Sequence, residues 1–122
     1  MRNMSFALTT PQILAQTKTV TRRFGWWFLR PGDLVQPVKK AMGLKKGERV
    51  EKLGCPIRIL STREEPLFLA DTAEEVQREG FPDWTPRQFV TMICRHYKCR
   101  PNAMCNRIEF EYTKGGGDDD RP

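Results

Sequence analysis

The sequence predicts an α+β domain, a small and mostly antiparallel β-barrel or half-barrel with short helices at its rim. Three short segments carry helix-start signals, several stretches read as short strands, and Gly and Pro punctuate the chain between them. With 122 residues, 39% of them hydrophobic, the chain is long enough for one compact core and too short for two. That domain is expected over residues 1–114. Residues 115–122, Gly-Gly-Gly-Asp-Asp-Asp-Arg-Pro, hold nothing apolar to bury and read as a flexible tail. The longest apolar runs, Gly25 to Leu29 and Leu67 to Ala70, fall far short of the roughly 20 residues that span a bilayer. The N-terminus lacks a secretory apolar stretch, so a cytoplasmic protein with no membrane partner is expected.

Each element has a local cause. Thr10-Pro11 offers a capping hydroxyl and a proline at the first helical position, ahead of Ile13, Leu14 and Ala15, which predicts a helix over 11–16. Thr17 to Arg23 is a polar strand pattern that puts Thr17, Thr19 and Thr21 on one face and Lys18, Val20 and Arg22 on the other. Leu34 to Val38 and Pro56 to Ser61 are two more short strands. Thr72-Ala73-Glu74-Glu75 is a capping-box pattern opening a helix that ends before Gly80 and Pro82. Thr85-Pro86-Arg87-Gln88 repeats the device, and Phe89, Ile93 and His96 or Tyr97 recur along one helical face. Trp84, just ahead of that cap, is placed to staple onto Phe89. Asn106 to Thr113 alternates, with Ile108, Phe110 and Tyr112 inward and Arg107, Glu109 and Glu111 outward.

Charge narrows the class of partner. Lys and Arg number 21 against 15 Asp and Glu, a net charge of +6, and the excess is concentrated. Residues 18–52 hold ten basic and three acidic side chains, whereas residues 53–114 hold nine of each. Such a block favours a polyanionic partner, and solvated solubility lysines would leave the same signature. Phe24, Trp26 and Trp27 lie directly behind the basic motif, the arrangement that stacks single-stranded bases while neutralising their phosphates. One tryptophan of the pair is expected in the core and one, assigned to Trp26, at a base platform.

Lys18-Thr19-Val20-Thr21-Arg22-Arg23, followed by Phe28-Leu29-Arg30-Pro31-Gly32-Asp33, resembles the opening signature of the ASCH domains, PUA-like β-barrels related to RNA-binding modules. Glu79-Gly80-Phe81-Pro82-Asp83-Trp84-Thr85-Pro86 and the closing Arg107-Ile108-Glu109-Phe110 fit the same pattern, so the resemblance covers nearly all of Met4 to Thr113. The stretches around Trp26, Met42 to Gly47 and Arg63 to Leu67 look most like phage and prophage variants. Small bacterial acetylcytidine amidohydrolases of this superfamily carry a Lys-x-x-Thr pair and a later Glu, which fall here on Lys18, Thr21 and Glu79. The resemblance implies a threonine nucleophile, a lysine that activates it, and a glutamate that carries a proton to the leaving cytosine amine. A hydroxyl needs such a base, and a lysine serves once burial or a neighbouring cation depresses its pKa.

The chain departs from those small hydrolases in the lysine- and glycine-rich segment Met42 to Lys52, an insertion or longer hairpin suited to a nucleic-acid strand. Arg22, Arg23, Trp26, Lys39, Lys40, Lys45 and Lys46 are therefore the candidate nucleic-acid contacts, with Arg22 and Arg23 also able to hold an oxyanion. The partner is expected to be RNA or a modified nucleoside. Two further activities stay open, a non-catalytic reader of RNA or a modified base and a ribonuclease. No cofactor and no metal are expected. Cys94, His96, Cys99 and Cys105 lack paired-knuckle spacing, and on a helix Cys94 and His96 point about 200° apart. The four cysteines are expected as free thiols.

Overall fold

A computed structural model describes residues 1–114, and the 115–122 tail lies outside the described residues. The strands are β1 (Arg2–Ser5), β2 (Val20–Arg23), β3 (Leu34–Val38), β4 (Ile57–Pro66) and β5 (Met104–Tyr112). The helices are α1 (Thr10–Leu14), α2 (Ala73–Arg78) and α3 (Pro86–Tyr97), with 3₁₀ turns at Ala7–Thr9 and Leu67–Leu69. The strands form one sheet in the order β1-β3-β4-β5-β2. Only β1 and β3 pair in parallel; the other three pairings are antiparallel.

The α+β class is as expected, but the sheet does not close into a barrel: β1 and β2 are its two outer strands among the described residues. Both are four residues long. Beyond β2 the chain leaves the sheet at Gly25 and at Trp26, whose φ is +60°. The gap between the two outer strands is crossed by side chains, with the Arg23 guanidinium lying 4.6 Å from the centroid of the Phe6 ring.

Two apolar clusters flank the long β4–β5 pair. One gathers Met4, Phe6, Ile13, Val35, Ile57, Ile59, Ile108 and Phe110 with Leu29 and Leu53. The other places Leu67, Ala70, Val76, Phe89, Ile93 and Cys105 beneath α2 and α3. Each large side chain buried in these clusters contributes about 1.5–3 kcal/mol. A register shift between Ile59 and Ser61 lets β4 bend between the two clusters, so one strand serves both.

Helix α3 begins as its sequence dictates, with both halves of the Thr85–Gln88 capping box formed. Other local expectations fail for identifiable reasons. Thr10 is not a cap; it is the first residue of α1, and its hydroxyl donates back to the Phe6 carbonyl at 3.0 Å. At α2, Thr72 accepts from the Glu75 amide, but the Glu75 carboxylate does not return to complete the box. It is claimed by Arg78 at 3.4 Å and by two further arginines described below. Trp84 stacks on Phe81, ring centroids 4.6 Å apart, and Phe81 in turn meets Phe89 at 5.7 Å, so the staple runs through an intervening ring. Strand β4 extends five residues past the expected Ser61, and β1 was not expected, since only Met4 of its four residues is fully buried.

The basic segment after β3 is a narrow hairpin extension. Lys39 donates its amide to Glu51, and Leu53 donates to Pro37, which pins the loop between them. Inside the loop Lys45 and Glu48 form a tight turn, and Lys40 meets the Glu48 carboxylate at 3.6 Å.

Candidate functional site

Strand β2 enters the sheet beside β5 in the register Thr21 opposite Ile108 and Arg22 opposite Arg107. Arg63 of β4 also stands opposite Arg107. Three arginines thus lie in one row across three adjacent strands, where like charges repel. Three carboxylates offset them. Arg22 donates to Glu79 at 2.9 Å, to Glu65 at 3.0 Å and to Glu75 at 2.6 Å. Arg107 forms a two-pronged pair with Glu75, at 2.7 and 3.0 Å, and Arg63 takes the other oxygen of Glu65 at 2.6 Å.

Burial disfavours the Arg22 charge, but the Glu79, Glu75 and Glu65 carboxylates more than offset it and raise its pKa above the usual value. Glu75 is held down to about 2, first by the hydrogen bonds from Arg107 and then by those from Arg22. The Arg22 side chain is 0% exposed, and its two terminal nitrogens are committed to carboxylates. Arg22 thus fixes the Glu79 carboxylate while also bordering the cavity described below, where its buried Nε has no partner among the described residues.

Glu79 caps the end of α2 and is itself buried. Its carboxylate receives Arg22 on one oxygen and the Lys18 ammonium, at 2.7 Å, on the other. Lys18 also donates to the Glu79 carbonyl at 2.8 Å. The next residue allows this approach: Gly80 has φ of +101°, and a Cβ there would stand 2.8 Å from Gln12 Cγ and 3.4 Å from Lys18 Cβ. Lys18 is held from the backbone side as well, since the Tyr112 hydroxyl donates to its carbonyl. Burial depresses the Lys18 pKa, with Glu79 opposing and the Arg23 and Arg22 charges assisting.

Thr21 is buried beside this pair, and its hydroxyl oxygen accepts the Arg23 Nε–H at 2.9 Å. No hydrogen bond joins Lys18 to Thr21 among the described residues. Lys18, Thr21, Arg23 and Glu79 nevertheless line one cavity of about 150 Å³, walled by Phe6, Phe81, Phe89, Met92, His96 and Tyr97. That volume is below the ~300–1,000 Å³ of pockets that enclose a whole small molecule.

The remaining candidates lie apart. Trp26 packs half-buried against the first apolar cluster, and Trp27, 53% exposed, is the freer ring of the pair. Trp26 and Lys40 line a neighbouring groove, whereas Lys39, Lys45 and Lys46 line neither that groove nor the cavity. The expected free thiols are found, with Cys105 buried and its pKa raised to about 11 by that burial. Among the described residues no three His, Cys, Asp or Glu side chains cluster as metal ligands. Sequence reasoning missed Glu65, Glu75 and Arg107. Each sat in a pattern with a more ordinary explanation, a loop, a cap or the wet face of a strand.

No protein-family model and no curated protein matches the sequence. Solved structures do. A protein of Enterococcus faecalis V583 from the DUF984 family superposes over 100% of this chain and 86% of its own, with a TM-score of 0.58 and 12% identity. An ASCH domain from Lactobacillus crispatus JV V101 superposes over 90% of this chain and 77% of its own, with a TM-score of 0.52 and 16% identity. The chain therefore shares the fold of the ASCH domain structure.

Proposed function

We propose that this ASCH-type chain is a hydrolase that removes an acyl group from the exocyclic amine of cytidine or a close relative. The observation that carries the reading is the meeting of Lys18, Thr21 and Glu79 in one small cavity, with Lys18 both desolvated and bound to Glu79. In this reading Lys18 in its neutral form takes the Thr21 hydroxyl proton as the oxygen attacks the amide carbonyl. The C–O bond forms and the carbonyl electrons collect on oxygen. Arg23, already donating to Thr21, is placed to stabilise that negative charge. Collapse breaks the C–N bond, and the proton passes from Lys18 through Glu79 to the leaving amine. Water then cleaves the acyl-threonine ester and regenerates the hydroxyl. The cavity size suits the base edge and leaves the ribose outside.

The test is release of cytidine and acetate from acetylcytidine. Thr21→Ala and Lys18→Met are expected to lower kcat/KM by at least about a hundredfold while the protein stays folded. Undiminished turnover in Thr21→Ala would remove the nucleophile assignment.

A second reading is favoured by one observation. Two Lys18 hydrogen bonds go to Glu79 and none to Thr21, an arrangement that also suits a static ion pair in a non-catalytic reader of RNA or a modified base. Absence of turnover over a panel of acylated nucleosides, together with saturable binding of one of them, would select it.

A further inference from the structure

We infer that the cavity is the midpoint of a continuous cationic track for a single-stranded polynucleotide, one of whose bases enters the cavity while its neighbours lie in grooves on either side. The inference rests on the cavity being the site read above and concerns the size of its ligand.

Two grooves open from the cavity and share residues with it. One, of about 590 Å³, continues from Ser5 and Arg23 past Arg2, Trp26 and Lys40. The other, of about 850 Å³, continues from Leu8, Met92 and His96 along α3 past Trp84, Arg87 and Arg95. Arg87, Thr91 and Arg95 follow at four-residue spacing and so lie on one face of α3, all three exposed. Beyond the residues shared with the cavity, each groove therefore pairs one indole with two cations, Trp26 with Arg2 and Lys40 and Trp84 with Arg87 and Arg95, the combination that stacks a base and neutralises its phosphates. No Asp or Glu lines either groove. Glu48, which meets Lys40 at 3.6 Å, stands outside, and exposed pairs of that kind are weak.

The cavity itself is too small for a complete nucleotide, so the sugar and phosphate of any bound unit must emerge into this basic ground. A free nucleoside would leave both grooves unused. The charge complementarity is to a strand, and it places the polyanion contacts away from the lysine hairpin. Of the hairpin lysines only Lys40 faces the track, while Lys45 and Lys46 turn about Glu48.

The experiment measures fluorescence anisotropy of a labelled single-stranded oligoribonucleotide of about ten nucleotides, a length within single-strand site sizes. Wild type is compared with Arg2→Gln/Lys40→Gln, with Arg87→Gln/Arg95→Gln and with the off-track pair Lys45→Gln/Lys46→Gln, all of equal charge loss. Each track pair is expected to weaken binding by about tenfold or more and to lower the salt slope by about two, and the off-track pair to change affinity by less than about twofold. Equal weakening by all three pairs, an effect confined to one arm, or no binding by wild type overturns the track. The same sequence as DNA assigns the strand: tighter RNA or tighter DNA binding names the polymer, and both keep the track. Because binding is read without turnover, the two proposals fail separately. A protein that hydrolyses acetylcytidine yet ignores the oligonucleotide keeps the hydrolase and loses the track. One that binds along both arms without turnover does the reverse.

Discussion

Lys18, two residues ahead of β2, and Arg22, within it, lie four residues apart and end on the two oxygens of the same carboxylate, Glu79. Arg22, with two more carboxylates beside it, stays charged. Lys18, desolvated and with only Glu79 for support, is the one whose proton is loosened. A pH–rate profile tests this. If Lys18 acts as a neutral base, kcat/KM rises with pH through a limb below the ordinary lysine pKa of 10.5, and Lys18→Arg, which keeps a charge that cannot be shed, abolishes turnover. A rate independent of pH across that range would remove Lys18 as the base. Glu75 supplies a separate titration. Its pKa is depressed from 4.5 to about 2 on folding, so its contribution is complete above the unfolded value and is lost as pH falls from about 4.5 towards 2. Acid unfolding of Glu75→Gln should therefore lose much of the pH dependence in that window. An unchanged acid profile would show that Arg107 and Arg22 do not act on stability through it.

At the scale of elements, α2 and β2 meet through the glycine after Glu79 as much as through the ion pairs. Gly80→Ala places a methyl against Gln12 and a non-glycine residue at φ of +101°, and about 1–3 kcal/mol of destabilisation is expected. Thermal unfolding measures it, and an unchanged Tm would show that α1 gives way without cost. The capping box of α3 was fully legible, because all its partners lie within four residues. The cap of α2 was legible only in part. The Thr72 hydroxyl has one local donor to satisfy, but the Glu75 carboxylate has a stronger distant partner in the Arg107 guanidinium. Strand β4 shows the same limit: Thr62 to Pro66 has no apolar alternation, and its extended form comes from pairing with Met104 to Ile108.

For the whole molecule, the open sheet implies uneven stability. Strands β4 and β5 are paired on both sides and flanked by both apolar clusters, whereas among the described residues β1 and β2 are each paired on one side and the 40–50 loop is pinned to the sheet only at its base. Amide hydrogen exchange should be slowest in β4 and β5, faster in β1 and fastest in the loop. Protection of β1 and β2 equal to that of β5 would indicate a closed barrel in solution.

The sequence by itself determined the α+β class, the positions of two capped helices and the closing strand, and the residues Lys18, Thr21 and Glu79 as a group to watch. The class, the helices and the strand follow from periods and caps, which are local, whereas the three residues were singled out by the resemblance to a family motif. Only the tertiary structure decided that the sheet stays open, that Arg22 is buried against three carboxylates, and that the cations in the grooves beside the cavity come from β1, the start of the hairpin and α3. A basic block in the sequence records how many charges there are. Which of them meet a ligand depends on strand register and on which carboxylates folding brings within hydrogen-bond reach.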